Sequence, residues 1–180
     1  METSIDNLLT SASGIQLDIA CGANKQAGFI GIDLQSLPGV DIVHDLFQFP
    51  WPLPDACVFR AMASHFLEHI PKVQIYFDSA DGLMHTWNPF ITFMDEVWRI
   101  MKPGGEFMIA APHGHSLGFL QDPTHAAPLC EVTWVYFDPN HPFYQFYRPK
   151  PWQVLFVNWD PSGNIEVVMT KRELQDGTEG

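Results

Sequence analysis

The sequence predicts an α/β fold with a mostly parallel sheet that ends in an antiparallel hairpin. The first observation is a series of short, continuous apolar runs, which are typical of strands buried within a parallel sheet. The second is a change of pattern near the end of the chain, where two strand-like runs flank a short turn. An amphipathic helix before the last parallel strand completes the pattern of an α/β protein.

Five apolar runs are the candidate parallel strands: IQLDIA (15–20), FIGID (29–33), DIVH (41–44), CVFRAMAS (57–64) and EFMIAAP (106–112). Residues 90–101 predict a helix, because apolar side chains recur there at spacings of three and four. Proline and glycine in 102–105 end that helix. QVLFVNW (153–159) and IEVVMTK (165–171) predict the hairpin, with its turn at 160–164.

The composition is that of a packed globular protein, with 46% hydrophobic and 17% charged residues. No apolar run reaches the roughly 18 residues that a membrane helix needs. The start METSIDNLL has acidic residues where a secretory signal has basic ones. We therefore expect a cytoplasmic protein with no membrane partner. Its 180 residues favour a single domain over 1–180, since they leave little room for a second module.

Charge and cysteine content argue against a nucleic-acid partner, a disulfide framework and a paired-cysteine zinc site. The formal net charge of -12 repels polyanions at long range, whereas nucleic-acid binders usually have a basic face. A nucleic-acid partner is therefore disfavoured. Cys21, Cys57 and Cys130 are odd in number and widely spaced, so they indicate neither a disulfide framework nor a paired-cysteine zinc site.

Polar residues follow the first two predicted strands. Asp18 lies near the end of the first strand, and Gly22 follows where the chain turns over the carboxyl edge of the sheet, at which ligands bind in open α/β folds. Gly22 permits a close backbone approach, while Asp18 would organise the loop or meet a cationic group. Asp33 ends the second strand, where a carboxylate can accept hydrogen bonds from both hydroxyls of a ribose. Ordinary strand-ending turns are the alternative.

These segments resemble a known family when they are taken in order: LDIACGA, GIDL, VHDL, ASHFLEHI and FMDEVWRIMKPGGEFMIAAPH are similar to the successive motifs of class I S-adenosylmethionine-dependent methyltransferases. The resemblance covers roughly residues 15–113. It implies a three-layer Rossmann-like methyltransferase fold, S-adenosylmethionine as the cofactor and S-adenosylhomocysteine as its product. It also implies that the glycine loop lies along the methionine part, Asp33 holds the ribose and Asp45 meets the adenine amine. The implied cofactor-binding residues are Asp18, Ala20, Cys21, Gly22, Lys25, Asp33, Leu34, Asp45, Leu46 and His65.

The chain departs from the family pattern in two ways. Ala20 and Asn24 replace the outer glycines of the loop, which weakens a dinucleotide hypothesis more than one for a phosphate-free cofactor. Only residues 23–28 separate Gly22 from the second strand, whereas a parallel crossover normally needs a dozen or more residues. We therefore expect a shortened first crossover without a full helix. Asn24 or Lys25 would then reach the cofactor carboxylate, and a solvated surface lysine is the equal alternative for Lys25.

Residues 113–152 form a connection that is long, rich in proline and rich in aromatic and histidine side chains. Such connections are usually functional or disordered, and the aromatic content argues against disorder. We expect an inserted substrate-side cap. Within it, the DPTH run at 122–125 can supply an acid and a base, or metal ligands. Because it lacks the spacing of a known metal motif, no metal site is predicted, and a packed lid is the alternative.

Methyl transfer from a sulfonium is an in-line displacement that requires alignment and exclusion of water. An oxygen or nitrogen nucleophile can also need a base, and a neutral histidine suits that task. The candidate catalytic residues are His113 directly after the fifth strand, His125 in the cap, and His65 after the fourth strand. For Glu68 and His69 we expect a polar capping role instead.

The sequence therefore predicts an S-adenosylmethionine-dependent methyltransferase that acts on a small-molecule or glycan-like acceptor. One alternative is a nucleic-acid methyltransferase, although ASHF replaces the D/N-P-P-Y/F/W motif of base amino-methylation, and Asn88–Phe90 lies outside that position. A second is a non-catalytic module that binds S-adenosylmethionine. A third is a metal-dependent hydrolase that uses the histidines of the cap. The sequence decides neither the acceptor nor the oligomeric state.

Overall fold

The structure is a computed structural model that describes residues 14–80, 82–160 and 162–173. The N-terminal stretch and the last seven residues lie outside this range, so the interpretation of the acidic N-terminus is not addressed by it. The strands within the described residues are β1 (Ile15–Ile19), β2 (Ile30–Asp33), β3 (Ile42–Val43), β4 (Val58–Ser64), β5 (Gln74–Asp78), β6 (Leu83–Trp87), β7 (Met101–Pro112), β8 (Trp152–Trp159) and β9 (Asn164–Lys171).

The main helix, α1, spans Pro89–Ile100, close to the predicted range. Its start is determined locally, because the side chain of Asn88 accepts a hydrogen bond from the backbone N–H of Ile91 at 3.0 Å and Pro89 occupies the first turn. The shorter helices are α2 (Leu117–Leu120), α3 (Tyr144–Tyr147) and two 3-10 helices at Leu67–His69 and Glu131–Phe137.

Seven strands form one sheet in the order β3-β2-β1-β4-β7-β9-β8. The first five of these are mutually parallel, whereas β9 runs antiparallel to both β7 and β8. The predicted α/β class, with its mostly parallel sheet and terminal hairpin, is confirmed. The fifth parallel strand is longer than predicted, since Met101 already pairs with Val58 before the register shifts.

The first crossover is short and contains no helix, as predicted. Residues 20–29 fold back over β1 as a loop. Two side chains of β1 hold this loop: Gln16 Nε2 donates to the carbonyl of Gly28 at 3.5 Å, and a carboxylate oxygen of Asp18 accepts from the backbone N–H of Gln26 at 2.7 Å. Side-chain hydrogen bonds thus replace the packing that a crossover helix would provide.

The two faces of the sheet differ in coverage. One face is fully buried and contributes, with α1, to a single hydrophobic core that includes Leu17, Ile19, Ala61, Phe107 and Val167 from the strands. On the opposite face, alternate residues such as Met62, Met108 and Val168 are half-buried. The connections 34–41 and 44–57 contain no helix.

A second, two-stranded sheet made of β5 and β6 was not predicted. The sequence carries a signal for it, because the Asp-Gly pair at 81–82 lies between two runs with strand-forming residues. Gly82 has φ of +72°. The apolar side chains Ile75, Phe77 and Met84 of this hairpin are more than 60% exposed.

The predicted cap, residues 113–152, is anchored on the core. Trp134 and Phe137 are buried, and each ring lies against Phe90 of α1 at centroid distances of 6.4 and 6.3 Å. Phe146 and Tyr147 remain exposed. Among the described residues, no helix combines the length and apolar content needed to cross a membrane.

Candidate functional site

Asp18 lies near the carboxyl end of β1, at the carboxyl edge of the sheet. Its carboxylate is buried, and the residue is 4% exposed. Its hydrogen bond from Gln26 holds the loop between β1 and β2. Burial raises the pKa of Asp18, and this hydrogen bond and the charge of Lys25 oppose that shift in part. Of the two predicted roles of Asp18, the structure supports the organisation of the loop.

Gly22 and Asp33 meet directly at this edge. The backbone N–H of Gly22 donates to Asp33 Oδ2 at 2.9 Å, and that of Gln35 donates to Asp33 Oδ1 at 2.9 Å. Gly22 has φ of +54°, and no atom of the described residues, apart from Gly22 and its two chain neighbours, lies within 4 Å of the position that a Cβ would take. The backbone at Gly22 is thus open to close approach. Each oxygen of Asp33 keeps lone-pair capacity for a further donor.

The residues between Asp18 and Gly22 are constrained. Ala20, which replaces an outer glycine of the family pattern, adopts φ of +55° in the left-handed region that glycine usually takes. The thiol of Cys21 is buried, and its pKa is raised to about 11, first by burial and then by the negative charges of Asp18 and Asp33. Cys21 therefore stays a neutral thiol at ordinary pH.

Lys25 is already paired. Its Nζ lies 2.6 Å from Asp41 Oδ2, the oxygen that also accepts from the backbone N–H of Gly31 at 2.7 Å. This pairing favours a structural role for Lys25 over contact with a cofactor carboxylate.

The remaining predicted cofactor residues lie after β2 and β3. Leu34 is 63% exposed next to Asp33. Asp45 follows β3 and accepts a hydrogen bond from the backbone N–H of Phe47 at 2.9 Å. Leu46 is buried, and its carbonyl accepts from Trp51 Nε1 at 3.1 Å. Asp18 within β1, Asp33 at the end of β2 and Asp45 after β3 thus belong to three neighbouring parallel strands or the residues directly after them.

His113 follows β7 directly, but both of its ring nitrogens are engaged. Nδ1 accepts from the backbone N–H of His115 at 3.1 Å, which places the proton on Nε2, 3.0 Å from Glu131 Oε2. The ring is 2% exposed and stacks on Trp159 at a centroid distance of 4.2 Å. This arrangement gives His113 a structural role and leaves it without a free nitrogen to act as a base.

His65 is better placed at the open edge. It follows β4 with φ of +54°, a conformation that non-glycine residues rarely adopt and that often marks functional sites. Its side chain is 54% exposed, and its Nδ1 lies 3.5 Å from Glu68 Oε1.

His125 lies opposite, on the DPTH segment. Its side chain is only 7% exposed, and Nδ1 lies 2.9 Å from the carbonyl oxygen of Phe119. That carbonyl can only accept, so Nδ1 carries a proton. Nε2 points to carboxylates, at 3.7 Å from Asp122 Oδ2 and 4.0 Å from Glu68 Oε1.

Glu68 and His69 are the residues whose importance the sequence did not indicate. The expected capping role is wrong. Glu68 and His69 lie within the short helix Leu67–His69, whose N-cap residue is Phe66 and which has no side-chain capping hydrogen bond. Glu68 is 1% exposed, while His69 Nδ1 lies 3.0 Å from Thr124 Oγ1. The fold therefore brings together two acids, Glu68 and Asp122, and two histidines, His69 and His125, from segments that are about 55 residues apart in the chain. We refer to Glu68, His69, Asp122, Thr124 and His125 as the Glu68 cluster.

Comparison with known proteins is informative at the level of structure alone. No family model and no curated protein matches the sequence. An S-adenosylmethionine-dependent methyltransferase from Archaeoglobus fulgidus is similar, with a TM-score of 0.55 and 17% identity over 87% of this chain and 85% of the other. A 16S rRNA adenine methyltransferase from Catenulisporales acidiphilia has a TM-score of 0.55 and 13% identity, over 95% of this chain and 91% of the other. The cyclase SpnF has a TM-score of 0.53 and 14% identity, over 88% and 75%.

These structures share a fold and differ in the reactions for which they are named, so the fold by itself does not specify the reaction. The order of strands and the terminal hairpin, together with this similarity, confirm the family resemblance at the level of fold. The chain has the Rossmann-like fold of the class I S-adenosylmethionine-dependent methyltransferases.

Proposed function

We propose that this protein is an S-adenosylmethionine-dependent methyltransferase that acts on a small-molecule or glycan-like acceptor. The observation that carries the proposal is the pairing of Gly22 and Asp33 in this fold. The backbone N–H of Gly22 donates to Asp33 at the end of β2 at 2.9 Å, and among the described residues only the chain neighbours of Gly22 lie near the position that its Cβ would take. Such an edge suits a nucleoside that needs a carboxylate for its ribose and no phosphate site.

When bound, S-adenosylmethionine would supply a methyl group on a positively charged sulfur. Asp33 would accept hydrogen bonds from the ribose, and Asp45 would accept one from the adenine amine. The backbone at Gly22 would lie along the methionine part. Asp18 would keep the loop in place through Gln26. These residues bind and orient, which is the main requirement of an in-line displacement.

Two histidines are candidates for taking a proton from the acceptor. His65 is exposed at the edge, and Nε2 of His125 lies 3.7 Å from Asp122 Oδ2 and 4.0 Å from Glu68 Oε1. His113 is not a candidate base, because its two ring nitrogens already have hydrogen-bond partners.

Charge and aromatic content support a small, ring-containing acceptor. The net charge of -12 disfavours a polyanion. A cavity of about 300 Å³ lies between the start of α1 and the cap, and its lining includes the aromatic side chains Phe90, Tyr136 and Tyr147. Aromatic side chains provide flat apolar surface for rings.

Calorimetry with S-adenosylmethionine and S-adenosylhomocysteine tests the cofactor part. We expect binding to the wild type and an affinity at least about tenfold lower for Asp33→Asn, because one charge-assisted hydrogen bond contributes roughly 1.5 kcal/mol or more. Asp78→Asn is a matched control, since Asp78 also ends a strand and accepts from the backbone N–H two residues later, at 2.8 Å. Absence of binding to either compound would contradict the proposal.

Incubation with labelled cofactor and pools of small metabolites tests turnover. Transfer of label to a small product supports the proposed acceptor class. Binding without transfer to any compound would favour the non-catalytic module, and label on added RNA or DNA would favour the nucleic-acid alternative.

A further inference from the structure

We propose that Glu68, His69 and His125 bind a divalent transition-metal ion at the carboxyl edge of the sheet. One carboxylate oxygen of Glu68 and one ring nitrogen of each histidine lie within 4.8 Å of one another. Glu68 and His69 follow β4, and His125 belongs to the connection after β7. These strands are parallel neighbours, so their carboxyl ends bring both segments to one place.

The first support is the carboxylate of Glu68, which lacks a hydrogen bond although His65 and His125 lie 3.5 and 4.0 Å from its Oε1. Its side chain is 1% exposed, and neither oxygen accepts a hydrogen bond from any residue in the part of the chain that the structure describes. Buried carboxylates are normally paired, hydrogen-bonded or bound to a metal, because an isolated buried charge costs several kcal/mol or more. A cation bound by Glu68 would remove this cost.

The second support is the orientation of the histidines. His125 donates its Nδ1 proton to the carbonyl of Phe119, which leaves a lone pair on Nε2. The Thr124 hydroxyl donates to Asp122 Oδ1 at 2.7 Å, so it accepts from Nδ1 of His69 at 3.0 Å and leaves that ring a lone pair on Nε2 as well. Metal-binding histidines are usually oriented in this way, with the second nitrogen donating to a carbonyl or another oxygen.

Three acceptor atoms then converge. His125 Nε2, with its lone pair, lies 4.0 Å from Glu68 Oε1 and 3.7 Å from Asp122 Oδ2. Acceptors that face one another repel unless a cation lies between them. A proton on Nε2 is one such cation and would make His125 an ion-pair partner. A metal ion is the other, and one ring nitrogen of His69 also lies within 4.8 Å of the ligand atoms of Glu68 and His125.

Backbone contacts make the arrangement rigid. The carbonyl of Glu68 accepts from the N–H groups of Ala126 and Ala127 at 2.7 and 2.8 Å, which fastens the DPTH segment to the short helix after β4. Thr124 also donates its backbone N–H to Asp122 Oδ1 at 2.8 Å. The ligands are thus held before any ion binds, which lowers the entropic cost of binding.

The ligand set indicates the class of ion. Two imidazoles and one carboxylate suit Zn²⁺ and the neighbouring divalent transition metals, whereas Mg²⁺ and Ca²⁺ prefer oxygen ligands. Asp122 is 41% exposed and is near enough to supply a fourth ligand. With the three ligands Glu68, His69 and His125, one tetrahedral position remains for a further oxygen, and a bond from Asp122 would fill it. This inference does not depend on the proposed methyl transfer, but a bound ion would occupy Nε2 of His125 and leave His65 as the candidate base.

Titration of tag-free, chelator-treated full-length protein with Zn²⁺ or Co²⁺ tests the site. We expect one ion per chain by calorimetry and a visible Co²⁺ spectrum typical of nitrogen and oxygen ligands. Glu68→Gln and His125→Ala should each lower the affinity about 100-fold or more. Thr124→Val should lower it roughly 10- to 100-fold, because Thr124 only positions His69. His141→Ala is the control and should bind as the wild type does, since His141 lies outside the cluster.

Thermal denaturation with and without Zn²⁺ separates binding from folding. The ion should raise Tm of the wild type and of His141→Ala by several degrees and leave Tm of Glu68→Gln unchanged. Equal Zn²⁺ affinity of the wild type and folded Glu68→Gln would overturn the inference, as would a wild type that binds no ion. If the wild type binds Zn²⁺ but not S-adenosylmethionine, the metal site stands and the proposed methyltransferase function fails.

Discussion

Asp18 and Glu68 are both buried carboxylates at the carboxyl edge of the same sheet, yet their surroundings differ. Asp18 accepts a backbone hydrogen bond at 2.7 Å and lies near the charge of Lys25. Glu68 accepts no hydrogen bond from the described residues, and histidines surround it instead. The difference separates an acid that maintains the fold from an acid that is available to a ligand.

Glu96 extends this comparison. It is a buried glutamate like Glu68, but it accepts from the backbone N–H of Trp51 at 2.7 Å and from two nitrogens of Arg99 at 2.6 and 2.9 Å. Arg99 is further held by Asp55. Burial alone therefore does not identify a ligand site in this molecule, because the availability of the lone pairs differs between equally buried acids.

The largest effect is expected for Glu96→Gln. The substitution removes the charge opposite Arg99 and should lower the free energy of unfolding by about 2 to 3 kcal/mol, as charge-assisted bonds in buried sites do. Urea denaturation measures this loss, and Glu166→Gln on the exposed side of β9 is the control. A loss under about 0.5 kcal/mol would show that the partners of Glu96 contribute little.

Asp18→Ala should have the next largest effect. It leaves the N–H of Gln26 without its acceptor and should cost about 1 to 2 kcal/mol of stability, because an orphaned backbone donor is expensive. The loop that contains Gly22 would lose its anchor, so S-adenosylmethionine affinity should fall as well. Unchanged proteolytic sensitivity of the 20–29 loop in Asp18→Ala would contradict this role.

Glu68→Gln should change stability in the opposite direction. In the presence of a chelator, the neutral amide replaces a buried carboxylate that accepts no hydrogen bond from the described residues, so the free energy of unfolding should rise by up to about 1 kcal/mol. Parallel denaturation of Glu96→Gln supplies the matched comparison. If both variants lose stability equally, Glu68 has a partner and the distinction between the two glutamates fails.

The smallest effect concerns Cys21. The rate at which its thiol is alkylated should depend on pH, and no change in stability is involved. Since the pKa of its thiol is raised to about 11, the thiolate needed for alkylation is scarce at pH 8. Iodoacetamide labelling followed by peptide mass spectrometry should show slow reaction at pH 8 and faster reaction as the pH approaches 11. Unfolded protein is the control, and equal rates for folded and unfolded Cys21 at pH 8 would contradict the shift.

Much of the fold follows from local patterns. The apolar runs around Leu17, Ile32 and Ala61 indicated buried strands, and the short spacing after Gly22 indicated a crossover without a helix. The hairpin β5–β6 was missed, because its apolar residues are exposed and it joins no larger sheet. A strand is recognised in a sequence by the apolar pattern of its buried face, and most apolar side chains of this hairpin are exposed.

The sequence predicted some features of the candidate site and missed others, because only some of them depend on residues that are close together in the chain. Asp18, Gly22 and Asp33 lie within 16 residues, so one sequence motif contains all three, and in the structure Gly22 donates to Asp33 while Asp18 accepts from Gln26. The bond from Lys25 to Asp41 and the two bonds of His113 depend on neighbours that no local pattern specifies. The sequence could name these residues as candidates but could not say which of their atoms remain free.

The sequence by itself determined the α/β class, the terminal hairpin and the acidic strand ends, because burial period, turn residues and motif spacing are local properties. Only the tertiary structure decided which polar groups are satisfied. Glu68 and His125 are 57 residues apart in the chain and meet because β4 and β7 are parallel neighbours. A buried carboxylate stabilises the fold when such long-range neighbours donate hydrogen bonds to it, and it is available to a ligand when they do not.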